Sequence, residues 1–331
     1  LNVTEIGDFG AGVYRLIDYG GDLTDNMLEL GALPGGVTAA DLSVQTSVAN
    51  QVNLINTVGT VLQFWDGDAG PPFDGTINGG DGTWRNSAGD DNWTDSTGTI
   101  NAGYADGDFA IFTGLAGTVT VENGIDAVSA SGMQFATDGY TITGGDVALV
   151  GPQSTIRVGD GTTAGAGVTA TIASALTGAT QLVKTDLGTL ILTGANGYTG
   201  GTLIDEGTLQ VSADANLGAA AGGLSIDGAT LQTTDGFVTD RDIVLGVDGG
   251  TLRMDAGLRV NGTISGSGTL TKTGAADLTL AAANSYSGGT VIDDGGVTVM
   301  ATGALGTGPV TLGDAALSFR NGASAGDLVI D

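Results

Sequence analysis

An internal repeat restricts this chain more than any other feature. Residues 182–218 align with residues 270–306 at an offset of 88 without a gap, with 18 identities in 37 positions. The matches include Leu182/Leu270, Lys184/Lys272, Leu190/Leu278, Leu192/Leu280, Asn196/Asn284, Tyr198/Tyr286, Gly200-Gly201-Thr202/Gly288-Gly289-Thr290 and Ile204-Asp205/Ile292-Asp293. The protein has two lysines, and they occupy the same place in the two copies. After a two-residue shift the match resumes at 227–231 against 313–317. Self-similarity of this kind marks a chain built by stacking supersecondary units, each too small to bury its apolar face alone.

Inside and between the copies the pattern is short alternating strands broken by Gly, Asp or Asn, such as Thr189-Leu-Ile-Leu192, Thr208-Leu-Gln-Val211, Thr230-Leu-Gln232 and Thr251-Leu-Arg-Met254. Such spacing fits a sandwich, a barrel or a β-solenoid. The internal repeat, the shortness of the strands and the recurrence of the same side-chain classes favour the solenoid. In that arrangement each coil pairs with the coils above and below at ~4.8 Å, and alternate apolar side chains fill a dry central stack. The residues expected inside are Leu182, Leu190, Leu192, Ile204, Leu209 and Val211, with Leu270, Leu278, Leu280, Ile292, Val297 and Val299. Asn196 and Asn284 are expected at corners, where Asn tolerates positive φ.

Composition agrees and prunes the functions. Gly supplies 61 residues and Thr 45, whereas Lys, Arg and Glu together supply 13, which is a β-and-turn composition. With no His and no Cys, the Ser-His-Asp and Cys-His nucleophile pairs, imidazole or thiolate zinc sites, disulfides and thiol redox centres are excluded. A net charge of −28 repels nucleic acid and anionic membrane surfaces. No apolar run is long enough for a spanning helix, and Leu1 opens without a signal pattern. The expectation is a mature or excised piece of a longer chain, with the apolar ending Asp327-Leu-Val-Ile-Asp331 read as a strand cut before its partner.

The run Gly268-Thr-Leu-Thr-Lys-Thr-Gly274, then Leu278-Thr-Leu280, Ala283-Asn-Ser-Tyr-Ser-Gly-Gly-Thr-Val-Ile292, Gly295 and Ala304-Leu-Gly-Thr-Gly-Pro-Val-Thr-Leu312 resembles the autotransporter-associated β-strand repeat, also called the passenger-associated transport repeat. The first copy departs from the pattern, because Asp186 and Leu187 stand where the Lys-Thr-Gly turn has its Gly and following residue. Upstream, Trp65-Asp-Gly67, Gly82-Thr-Trp84, Asn92-Trp-Thr94, Phe109-Ala-Ile-Phe112 and Gly117-Thr-Val-Thr-Val121 resemble the segment that commonly precedes such repeats in bacterial surface proteins. The resemblance implies an all-β fold, a right-handed parallel β-helix, in a passenger exported through its own C-terminal outer-membrane barrel. It also implies an extracellular or cell-surface location in a Gram-negative bacterium and a role as stalk, adhesin or surface fibre. A fold of this kind does not fix activity.

Along the chain, residues 1–64 read as the last coils of a preceding solenoid module, 65–108 as a Trp- and Asp-rich interruption or decorated coils, and 109–331 as regular solenoid carrying the two copies. The expected partners are neighbouring coils or subunits of like chains. Look-alike motifs dissolve on inspection. Gly322-Ala-Ser-Ala-Gly326 copies a nucleophile elbow but has no His to serve as base. Gly159-Asp-Gly-Thr-Thr-Ala164 copies a dinucleotide fingerprint but opens no helix. Carboxylates remain: Asp90, Asp91 and Asp95 stand beside Trp84 and Trp93, the candidate glycan-binding residues, since aromatic faces stack on sugar rings and paired carboxylates hydrolyse them. Packing of the tryptophans over the solenoid is the competing reading. Asp66-Gly-Asp68, Gly79-Gly-Asp-Gly82 and Asp90-Asp-Asn92 offer oxygen donors for calcium, but none completes a known loop, so diffuse Ca²⁺ binding is the expectation and no cofactor is assigned.

Overall fold

The computed structural model describes residues 1–3, 9–24, 28–86, 91–124 and 127–320. Between Leu62 and Phe319 the described residues wind as a parallel β-solenoid of about ten turns. Among the described residues one sheet has 11 strands, a second 14 and a short third face 3. Each turn takes 19 to 22 residues, as the register Leu190↔Leu209↔Leu231↔Leu252↔Lys272 shows. Alternation sets the core: in Thr189–Leu192 and Thr208–Val211 every second side chain is buried. All twelve apolar residues expected inside are buried. Outward from the same strands stands a ladder of threonines, Thr169↔Thr189↔Thr208↔Thr230↔Thr251↔Thr271.

The two copies do not lie over one another on one face. The inward row Ile156↔Lys184↔Ile204↔Ile226↔Leu245↔Gly266 belongs to the 11-stranded sheet and ends six residues before Lys272. Lys272 enters the core instead between Leu252 and Ile292, in the 14-stranded sheet. An offset of 88 is therefore four coils plus one face. The second copy is rotated about the axis relative to the first.

Residues 1–64 correct the expectation of preceding solenoid coils. β1 (Gly12–Asp18), β2 (Leu42–Gln45) and β3 (Gln51–Asn56) form an antiparallel sheet in the order β1-β3-β2. Among the described residues of this segment, only β4 (Leu62–Trp65) enters the solenoid, pairing in parallel with Phe109–Phe112. The reason is apolar surface on both faces of the first coils. From Phe109–Phe112, Ala110 and Phe112 point into the main core, while Phe109 and Ile111 join Val13, Ile55, Leu62 and Phe64 in a second cluster under the antiparallel sheet. A face this apolar must be covered, and the N-terminal sheet covers it.

Residues 65–108 form an end to the stack. β5 (Gly82–Trp84) pairs in parallel with Thr118–Val121, but β6 (Trp93–Thr94) runs antiparallel to β4, and β7 (Asn101–Ala102) antiparallel to β6. The sheet terminates in β4-β6-β7. Trp65, Trp84, Trp93, Tyr104 and Phe112 fill the interior there. Open strand ends invite association, and folding a hairpin and its aromatic rings across one end removes that invitation.

Candidate functional site

The repeat residues form the most regular polar constellation of the interior, and their spacing explains it. A lysine at an inward position puts its ammonium among Ile and Leu rows. Lys184 Nζ donates to the carbonyls of Thr185 at 3.0 Å, Asp186 at 2.6 Å and Glu206 at 3.0 Å. Lys272 Nζ does the same with Thr273 at 3.0 Å, Gly274 at 2.6 Å and Asp294 at 2.9 Å. An ammonium has three donors, and each lysine finds three carbonyls, two in its own turn and one in the coil above. Burial pushes the Lys184 ammonium down to about 7, against the pull of the Asp186 and Glu206 charges, and lowers Lys272 likewise.

Asn196 and Asn284 lie outside strands, as expected, yet neither has positive φ. They are buried and tie coils together. Asn196 Oδ1 accepts from the Leu176 amide at 2.8 Å and its Nδ2 donates to the Asn216 carbonyl at 2.6 Å; Asn284 accepts from Ile264 at 2.7 Å and donates to Ala304 at 2.5 Å. One carboxamide thus spans three coils. The hydroxyls of Tyr198 and Thr202 meet at 2.7 Å, those of Tyr286 and Thr290 at 2.6 Å, and burial pushes the Tyr198 phenol up to about 12 and Tyr286 higher still. The polar letters of the repeat are spent inside the solenoid.

The candidate glycan-binding pair is placed differently from expectation. Trp84 is 0% and Trp93 1% exposed, with ring centroids 5.0 Å apart and Trp93 4.6 Å from Tyr104. No face of either ring is open to a sugar, because both plug the end of the core. Asp90 lies outside the described residues. Asp95 Oδ1 accepts from the Thr97 amide and hydroxyl and from the Thr99 amide, closing its own turn, and Asp91 is exposed. Among the calcium candidates, Asp66 is buried with Oδ1 on the Asn78 amide and Oδ2 on Asn101 Nδ2, while Asp68 Oδ1 takes the Asp81 amide. Among the described residues no three acidic side chains converge on one point. Gly322–Gly326 and Val329-Ile330 lie outside the described residues, and no described helix is long and apolar enough to cross a membrane.

A concave site does form where sequence reasoning placed none. Beside the N-terminal sheet, on the outer face of the solenoid, runs a groove of about 580 Å³ whose lining includes Tyr14, Phe109, Thr155, Arg157, Asp186 and Glu206. The N-terminal sheet is latched at its edge. Gln134, whose side chain would be expected in solvent, is buried and treats Val13 as a neighbouring strand would, accepting from its amide at 2.7 Å and donating to its carbonyl at 2.8 Å. The Arg157 guanidinium lies 3.8 Å over the Tyr14 ring and donates Nε to Asp186 Oδ2 at 2.9 Å. Asp186 also accepts from the Gly161 and Leu187 amides. It sits at φ 64°, where the second copy has Gly274 at φ 80°. A side chain in this left-handed region costs about 1 kcal/mol. The carboxylate that anchors Arg157 is the structural reason for the departure from the repeat pattern. That departure was the one visible signal of the groove.

Geometry of this kind defines a class: a repeat-built β-solenoid whose internal polar groups join coil to coil. Residues 182–211 and 270–299 match the passenger-associated transport repeat. A curated relative, the adhesin BmaC autotransporter of Brucella suis biovar 1 (strain 1330), is 55% identical over 270 residues, covering 80% of this chain and 8% of its own length. The chain thus spans 8% of the length of that relative. No solved structure matches. The chain thus carries two copies of this repeat and is similar, over most of its length, to a segment of an autotransporter adhesin.

Proposed function

We propose that this segment is a non-enzymatic scaffold in a long, surface-exposed adhesin of a Gram-negative bacterium, exported as an autotransporter passenger. The carrying observation is the use of the repeat's Lys, Asn, Tyr and Thr side chains as internal ties, which leaves a rod rather than a reaction centre. A stacked coil depends on its nearest neighbours, so such a rod lengthens without a new core and holds other modules away from the cell. Similarity to a protein named an adhesin supports the surface role. Like coils or like chains are the partners this reading implies.

The test is made on cells expressing the whole protein. Antibody against residues 109–320 is expected to label intact cells, and exchanging those residues for an equal number of coils from another passenger is expected to preserve export. Labelling only after permeabilisation overturns the surface reading. Release of reducing ends from polysaccharide by the purified segment overturns the non-enzymatic one.

A further inference from the structure

We infer that the groove beside the N-terminal sheet binds a short neutral glycan. At about 580 Å³ it falls within the ~300–1,000 Å³ of small-molecule sites, and it lies at a seam between two layers, where such sites concentrate. Two of its wall residues carry buried polar atoms without a partner: Ser131 Oγ and Arg157 Nη1, the latter on a residue 7% exposed. Both atoms are sealed from solvent, so the groups that can meet a ligand are the others that line the groove. Thr155 and Gln153 add hydroxyl and amide groups, while Phe109 and Val58 add apolar surface.

This mixture selects the ligand class. A pyranose has hydroxyl acceptors and donors at its rim and C–H faces above and below, which match hydroxyl, amide and apolar walls. An extended peptide would need a free sheet edge to pair with. The floor here is a sheet face whose backbone groups are taken by ladders, as in Met133↔Ile156↔Lys184. An anionic sugar would meet Asp186 and Glu206, with the Arg157 charge already answered by Asp186. Neutral saccharides remain.

The inference rests on the surface-adhesin reading for where sugars would be met, but its test does not. Residues 1–331 are titrated by calorimetry and ligand-observed NMR with cellotriose, chitotriose, maltotriose and mannotriose, and with trigalacturonate as the anionic control. At least one neutral trisaccharide is expected to bind with a Kd of about 1 mM or tighter. Thr155→Leu or Ser131→Leu, which narrow the groove, should weaken it at least about tenfold, whereas Thr230→Leu, on the ladder away from the groove, should leave it unchanged; thermal melts confirm that each variant folds. No binding by any neutral probe, preference for trigalacturonate, or equal binding by the narrowed variants overturns the assignment. Each of those outcomes leaves the scaffold reading standing, because that reading is tested separately on cells.

Discussion

Replacing Lys184 by Met keeps the unbranched stem in its row between Ile156 and Ile204 and removes only the ammonium. Three carbonyls, of Thr185, Asp186 and Glu206, then lose the donor. At about 1 kcal/mol for each buried acceptor left without this partner, the change should destabilise by about 3 kcal/mol at pH 7. The pH dependence gives a second, sharper signature. Burial holds the folded-state pKa of Lys184 near 7, whereas the unfolded side chain titrates near its ordinary 10.5. Between those values the unfolded chain binds the proton that the folded chain has released, so stability rises with pH across this window. Integrating from pH 7 to 9.5 gives about 3 kcal/mol. The gap between wild type and Lys184→Met should therefore widen to about 6 kcal/mol at pH 9.5. Urea unfolding followed by circular dichroism at the two pH values measures it. A variant as stable as wild type, or a gap that narrows with pH, refutes the account of the buried lysine.

Other predictions follow from the same structure. Above pH 10 the trend reverses, because Tyr104, Tyr140, Tyr198 and Tyr286 are raised by burial and the unfolded phenols lose protons first; a melting temperature that keeps climbing past pH 11 contradicts this. Trp93→Ala should cost about 3–5 kcal/mol by opening a cavity in the end plug, read as a lower melting temperature, and an unchanged melt would contradict the burial. Asp186→Gly removes left-handed strain but leaves the Arg157 guanidinium buried without its carboxylate, so a net loss of about 2–4 kcal/mol is expected in chemical unfolding, recovered in part by adding Arg157→Met. With a net charge of −28, the melting temperature should rise with NaCl, as the screening length shrinks from ~30 Å at 0.01 M to ~10 Å at 0.1 M, and further with Ca²⁺ at matched ionic strength; equal melts in the two salts remove the calcium part.

The solenoid was legible because its signal is local. Leu190, Leu192, Leu209 and Val211 alternate within single strands, and the 88-residue repeat told which strands are equivalent. Long-range placement was not legible. Residues 42–56 alternate just as the coils do, and nothing in a strand's own letters tells antiparallel pairing over a solenoid flank from parallel stacking within it. The tryptophans were only partly legible: packing against the solenoid outweighed a sugar platform for Trp84 and Trp93, but their place inside the end plug follows from the antiparallel turn of β6 and β7. Lys184 and Lys272 were visible as a repeated pair, but their inward direction depends on strand phase, which charge alone argues against. For the groove, Asp186 in place of the repeat's glycine was the trace, while Val13 and Gln134 come together from 121 residues apart.

Parallel coils stacked in the register Thr169↔Thr189↔Thr208↔Thr230↔Thr251↔Thr271 are what hold the solenoid together. The chain has no Cys, so pairs of spin labels can be placed on these outward positions alone. Double electron–electron resonance between labels at Thr169→Cys and Thr271→Cys should give a narrow distribution near ~24 Å, five rungs at ~4.8 Å. Moving the second label back to Thr251→Cys and Thr230→Cys should shorten the distance by ~4.8 Å at each step. Distances that stay constant, alternate or scatter along the series would contradict the stacked solenoid.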